Sequence, residues 1–233
     1  MSVGERYRSI RDRIEVACER AGRDPREVRL VGACKRQPLE RIEAACAAGL
    51  SILGENIVQE ALRHAEELPA GRSAGVEWHL IGPLQSNKAK KAVSLFSTIE
   101  SVDRPKIARA LDREAAKAGR SLTGLLEVNL GGEETKHGFT VAEIESGLAE
   151  LAALEHLRID GLMAIPPPAA DPEGSRPWFR RLRELRDGLF ARPEWAGRAG
   201  LLSMGMSSDF EVAVEEGATH VRVGSALFGP REA

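Results

Sequence analysis

A lysine closes the first apolar segment of this chain. Val28 to Lys35 reads Val-Arg-Leu-Val-Gly-Ala-Cys-Lys. The run is short, β-branched at Val28 and Val31, and bracketed by Pro25 and Pro38. That is the pattern of a buried strand. An ammonium at the end of such a strand is costly to bury. Lys35 therefore either extends its head to water, or is paired, or has a lowered pKa and works as an amine. As an amine it would be a Schiff-base lysine, condensing with an aldehyde.

Other residues suit the same chemistry. Gly224-Ser225 offers backbone N–H groups and a hydroxyl, and Gly205-Met206-Ser207-Ser208 opens a short helical pattern. Both turns could hold a phosphate, or could be ordinary capped turns. Arg222 alternates with His220 and Gly224, so it faces the same side of its strand. A guanidinium cannot shed its charge and needs an acceptor, either a pyridine nitrogen or a carboxylate such as Glu127. An amine, a phosphate cup and an arginine for a ring nitrogen together suggest pyridoxal 5′-phosphate (PLP) on Lys35. Trp78-His79 could supply a ring against a cofactor, or His79 could be a satisfied core residue. Lys136-His137 is a second amine on a loop. Gly82 to Lys88 only half matches a phosphate loop, because Asn87 stands where the second glycine belongs. Lys88, Lys90 and Lys91, and Arg180, Arg181, Arg183 and Arg186, read as solvated helix faces. No spacing of His, Cys or carboxylates suggests a metal.

The elements that must position these residues alternate regularly. Residues 2 to about 21 form an amphipathic helix with Ile10, Ile14 and Ala17 on one face, stopped by Gly22. Strands follow at residues 28–35, 50–53, 76–81, 97–99, 122–130, 157–165, 201–204 and 220–223. Helices intervene at 39–48, 58–68, 86–95, 104–118, 141–154, 178–190 and 209–216. Eight strands alternating with helices, without a linker, imply one α/β domain, a (β/α)8 TIM barrel over residues 25–233 with an extra N-terminal helix over 1–24. An open doubly wound sheet is the competitor. In a barrel the chemistry gathers at the carboxyl ends of the strands, where Lys35, Gly54-Glu55-Asn56, Glu100-Ser101 and Gly224-Ser225 fall. The proline-rich stretch from Pro166 to Ser175 reads as a mobile rim loop.

Composition agrees with a single core. The chain has 233 residues, 42% hydrophobic and 29% charged, enough for one barrel. A formal net charge of -2 gives no global basic field for nucleic acid. Cys18, Cys34 and Cys46 lack metal-ligand spacing and read as reduced thiols. The first residues lack the apolar core of a signal peptide, and no run approaches membrane-spanning length. A cytoplasmic protein is expected, with no membrane or nucleic-acid partner.

Taken together, the motifs resemble the pyridoxal phosphate homeostasis protein family, which is similar to the barrel domain of alanine racemase. The matching stretches include Gly54-Glu55-Asn56-Ile57-Val58-Gln59-Glu60, Trp78-His79-Leu80-Ile81-Gly82-Pro83-Leu84-Gln85-Ser86-Asn87-Lys88 and Ile99-Glu100-Ser101-Val102-Asp103. Leu201-Leu202-Ser203-Met204-Gly205-Met206-Ser207-Ser208-Asp209 and Val221-Arg222-Val223-Gly224-Ser225 continue the family order. The resemblance implies PLP on Lys35, Arg222 at its pyridine nitrogen, and phosphate held by Gly224, Ser225 and the turn through Ser203, Met204 and Ser207. It also implies Asn56 and His79 near the cofactor. The chain departs from the family at Cys34, where serine is usual, at Arg36-Gln37, where Thr-Lys is common, and at Ser225, which replaces a threonine.

The expected function is a non-catalytic carrier that buffers or delivers PLP, acting as a monomer, with PLP-dependent apo-enzymes as candidate recipients. The alternatives are a PLP-dependent racemase and a Schiff-base aldolase. The aldolase has no use for Arg222 opposite a ring nitrogen. A two-base racemase needs a group on the second face of the cofactor, typically a tyrosine, and the only tyrosine is Tyr7.

Overall fold

The computed structural model describes residues 1–69, 71, 75–133 and 137–230. The first helix, α1 (Val3–Ala21), starts on a reciprocal cap. The Ser2 hydroxyl accepts from the Glu5 N–H at 3.2 Å, and Glu5 accepts from the Ser2 N–H at 2.7 Å. It stops at Gly22, whose φ of 63° ends the helix in the left-handed region. Its apolar face, Ile10, Ile14, Ala17 and Cys18, is buried. Fully burying one such isoleucine is worth roughly 1.5–3 kcal/mol.

The rest is one barrel. The strands are β1 (Arg29–Ala33), β2 (Ile52–Glu55), β3 (Glu77–Leu80), β4 (Thr98–Val102), β5 (Leu122–Glu127), β6 (Leu157–Met163), β7 (Leu201–Ser203) and β8 (His220–Val223). All neighbours are parallel, and β8 closes on β1 with Arg29 opposite His220. The helices between them are α2 (Leu39–Ala47), α3 (Val58–Glu67), α4 (Ala89–Leu95), α5 (Pro105–Ala118), α6 (Val141–Ala152), α7 (Arg176–Phe190) and α8 (Phe210–Glu215), and α9 (Ser225–Phe228) follows β8. α1 lies against α2, α8 and α9, beside the β1–β8 seam. Arg23, just past its end, donates to the Val214 and Ala218 carbonyls at 2.6 and 2.9 Å.

Alternation along each strand sorts the side chains. Leu30, Leu53, Leu80, Ile99, Leu126, Val221 and Val223 join the apolar layer under the helices. Val31, Ile52 and Ile81 form a separate small cluster inside the barrel with Ala33. Gly54 makes room there, since a Cβ on it would sit 2.7 Å from Val31 Cγ1. Beside Leu125 and Met163, which are also buried, the interior carries His79, Glu100, Ser203, His220 and Arg222, a polar filling unusual for a fold whose interior is filled mainly by branched apolar residues.

Several expectations need correction. β4 runs to Val102, so Glu100 and Ser101 lie within the strand, not after it. β5 ends at Glu127; beyond it Val128 donates to the Met163 carbonyl at 2.8 Å and forms an isolated bridge with Phe139. Ser86–Lys88 is one 3-10 turn before α4 begins. The arginines of α7 are not merely a solvated face. Arg180 and Arg183, with Arg176, converge on the buried carboxylate of Glu216 at 2.8–3.3 Å. Arg181 and Arg186 donate to the carbonyls of Leu130 and Gly200. Among the described residues no helix is long and apolar enough to cross a membrane.

Candidate functional site at the barrel mouth

The turn after β1 aims the lysine. The Gln37 N–H donates to the Cys34 carbonyl at 2.9 Å, and Arg36 between them holds a φ of 57°. A side chain other than glycine in that region carries strain, which the surrounding turn must hold in place. Lys35 is half-buried, two residues past the strand, and its ammonium has no hydrogen bond or ion pair among the described residues. It lines a cavity of about 430 Å³ at the carboxyl ends of the strands. Small-molecule sites run roughly 300–1,000 Å³.

Six of the nine residues expected at the site line this cavity: Lys35, Asn56, Ser207, Arg222, Gly224 and Ser225. Beside the end of β1, the Ser207 hydroxyl accepts from the Gly224 and Ala226 N–H groups, each at 3.2 Å. Asp209 fixes that turn, accepting from the Met206 N–H at 2.7 Å and from the Ser175 hydroxyl at 2.9 Å. The result is a small rim of hydroxyls and backbone donors between β7 and β8, suited to an anion. Ala33, Ile81, Ile165 and Met206 supply apolar wall.

Arg222 forms the charged floor. Its Nη1 donates to Ser203 Oγ at 2.6 Å and its Nη2 to the Ala164 carbonyl at 2.9 Å, leaving further N–H donors. Ser203 in turn donates to Glu100 Oε2 at 2.6 Å, and Glu100 Oε1 pairs with His79 Nδ1 at 2.7 Å. Glu77 lies 3.8 Å from His79 Nε2 and takes a two-pronged contact from Arg29. A column of alternating charge thus descends from the mouth to the far end of the barrel. Burial alone would raise the Glu100 carboxyl, but His79 and Arg222 hold it down, at about 2. Burial likewise opposes charge on His79, but Glu100 and Glu77 carry its pKa above the ordinary value. His220, its ring centroid 5.8 Å from that of His79, is pushed down to about 4, chiefly by burial.

His79, Ser203 and Met204 do not reach the cavity wall. His79 sits below, buried and bound to Glu100, and does not line the cavity. Ser203 is buried and acts on Arg222. Met204, one step further along the strand, points into the outer apolar layer. Arg222 turns to Glu100 through Ser203, not to Glu127. Sequence reasoning missed Gln37, Ile81 and Ile165 as lining residues, and read Met206 only as part of a phosphate turn. It also read Glu100 as a rim residue, although its alternation with Thr98 could have placed it inside. Lys136 lies outside the described residues. Among the described residues no cluster of His, Cys or carboxylates suits a metal.

One wall is backbone against backbone. A Cβ on Gly82 would lie 2.6 Å from the Asn56 carbonyl oxygen and 2.7 Å from its Cα, so the loop after β3 can rest on the loop after β2 only with glycine there.

Comparison with known proteins agrees with this architecture. The chain is 44% identical to the pyridoxal phosphate homeostasis protein of Aquifex aeolicus, over 100% of both chains. Against that of Escherichia coli it is 36% identical, over 99% of this chain and 97% of the other. The structure of PipY from Synechococcus elongatus with PLP bound matches at 37% identity with a TM-score of 0.83, covering 98% of this chain and 100% of that one. Alanine racemase of Clostridium difficile, at 13% identity with a TM-score of 0.69, covers 98% of this chain and 58% of that one and shares the fold. Residues 7–232 match the family described as alanine racemase, N-terminal domain. The chain belongs to that family, among its pyridoxal phosphate homeostasis proteins.

Proposed function

We propose that this protein binds PLP at the barrel mouth and serves PLP homeostasis as a carrier, without turning over a substrate. The observation that carries the reading is the convergence on one cavity of an unpaired lysine, a buried arginine and a hydroxyl-lined turn. These residues fit the cofactor. Lys35 would hold it through its amine. Arg222, with donors remaining beyond Ser203 and Ala164, would face the pyridine nitrogen. Ser207, Gly224 and Ser225 would take the phosphate, and Ile81, Ile165 and Met206 would flank the ring. When bound, PLP supplies an aldehyde that condenses with amines and a ring that draws electrons.

The chain's own residues favour holding over turnover. A permanent donor at the ring nitrogen leaves that nitrogen unprotonated and the ring a weaker electron sink. The sole tyrosine is engaged elsewhere. Its hydroxyl donates to the Gly49 carbonyl at 3.0 Å, at the turn leading into β2 and the opposite end of the barrel. Loss of acid–base help typically costs on the order of 10²–10⁴-fold. PLP-dependent apo-enzymes as recipients, a monomeric carrier and a cytoplasmic setting belong to the same proposal; Cys18, Cys34 and Cys46, none of them in a disulfide among the described residues, fit a reducing compartment.

The test is optical and isotopic. Purified protein is expected to carry a visible absorption band that borohydride bleaches and fixes on Lys35. Incubated with L- and D-amino acids in heavy water, it is expected to leave the α-hydrogen in place. Deuterium uptake at enzyme-like rates that vanishes in Lys35→Ala would instead establish a racemase-type enzyme.

A further inference from the structure

A second cavity of about 270 Å³ adjoins the first and shares Asn56, Ile81 and Ile165 with it. Its own polar lining comes from Glu127, Asn129 and His137. Glu127, at the end of β5, is half-buried, and its carboxylate makes no hydrogen bond or salt bridge among the described residues. Its oxygens open onto this cavity, so a group entering there reaches them without displacing a protein partner. Every other carboxylate of the barrel interior has one: Glu77 has Arg29, and Glu100 has His79 and Ser203.

The surroundings say what Glu127 lacks. Arg222 lies near enough to favour its charge but is turned to Ser203 and Ala164. Asp103, buried beside it, opposes that charge and is itself engaged by Arg104 and by His137 Nδ1 at 3.4 Å. Burial first and Asp103 second raise the proton affinity of Glu127 above that of an ordinary carboxylate. A free carboxylate of raised basicity, facing a cavity of a few atoms' width, calls for a ligand that is a hydrogen-bond donor and can give up a proton. A primary ammonium meets both needs.

We infer that this second cavity receives the primary amine that takes the cofactor from Lys35, and that Glu127 holds its ammonium and accepts its proton. The inference rests on the carrier function proposed above. The exchange balances without oxidant or water. The incoming ammonium gives one proton to Glu127, and its nitrogen then bonds to the carbon that Lys35 holds. The bond from that carbon to the Lys35 nitrogen breaks. The two protons left on the incoming nitrogen and the one held by Glu127 end on Lys35, which leaves as an ammonium. The same chemistry serves a free small amine or a lysine side chain of a recipient protein.

The experiment mixes the PLP-loaded protein with n-propylamine and follows the absorption change as Lys35 is displaced. In the wild type the rate is expected to saturate with amine concentration. In Glu127→Gln the band before mixing should be unchanged, while the half-saturating concentration rises about tenfold, as for loss of one charge-assisted hydrogen bond. A second readout needs no exchange: in the full-length protein, n-propylamine should shift the backbone amide resonances of Gly82 and Asn129, and in Glu127→Gln it should not. Repeating the titration with Nα-acetyl-lysine amide separates the sources, the tighter of the two amines naming the one the cavity fits. A rate that never saturates in the wild type, or equal half-saturation in both proteins, overturns the inference while leaving the carrier reading intact. A purified protein with no absorption band at all would instead sink the carrier reading itself.

Discussion

The Ser203 hydroxyl joins Arg222 to Glu100. It accepts from Arg222 Nη1 at 2.6 Å and donates to Glu100 Oε2 at 2.6 Å, across a direct separation of 3.9 Å between the two charges. Ser203→Ala removes both bonds and leaves two buried charges facing each other without their bridge. Hydrogen bonds to charged groups are worth roughly 1.5–3 kcal/mol, so a loss of about 2 kcal/mol in unfolding free energy is expected. Urea titration measures it, and a midpoint equal to wild type would show that the bridge contributes nothing.

Lys35→Ala should abolish the covalent link to PLP while leaving weaker, phosphate-driven retention through Gly224 and Ser225. Borohydride treatment followed by mass spectrometry reads this directly. A reduced adduct of normal yield would move the assignment to another amine, and Lys136 is the first to examine.

Ser225→Ala removes a hydroxyl from the proposed phosphate rim but leaves its backbone donors. PLP should bind about tenfold more weakly, the lower end expected for one hydrogen bond to a charged group. Equilibrium titration with PLP decides it, and an unchanged dissociation constant would take this hydroxyl out of the site.

Acid should find His220 first. Its folded pKa of about 4 lies below the ordinary value of 6.5, so between those limits the unfolded chain binds the proton more readily. Stability from this group is present above pH 6.5 and lost as pH falls toward 4. Glu77 and Glu100, both lowered to about 2, begin to contribute their loss only below about pH 4.5. Glu55, Asp103 and Glu127, raised by burial, act in the opposite sense in the intermediate range. The difference between wild type and His220→Asn therefore reads the histidine together with its coupling to Glu100 and His79. Melting temperatures of the two should converge as pH falls from 6.5 to 4, and parallel curves would refute the assignment.

Much of this could be read from residue order, and the remainder has identifiable physical causes. The place of Lys35, Arg222 and Ser225 on the cavity wall was legible because each stands at or next to the carboxyl end of a short apolar run, where a barrel places its chemistry. His220–Val223 was delimited correctly because β-branched residues and a glycine bound it. Glu100 was not legible as an interior residue. Strand boundaries are drawn where apolar residues stop, and this barrel continues into a polar interior. Met204 was expected at the phosphate turn from the resemblance alone, and its side chain instead joins the outer apolar layer. The arginines of α7 looked solvated because their partner, Glu216, is distant in sequence, and such pairings leave no local trace. Gln37 and Ile165 sit in loops, where neither periodicity nor residue type foretells what faces a cavity.

Gly82 and Asn56, packed backbone to backbone, set a limit on anyone who would reshape this pocket. Loops at a barrel mouth are ordinarily exchanged one at a time, each riding on its own strand. Here the loops after β2 and β3 share a surface with no side chain between them to trim or to yield. A grafted β3 loop bearing even alanine at position 82 would collide with the main chain of its neighbour. Enlarging the pocket for a bulkier vitamer therefore means transplanting the two loops as one cassette.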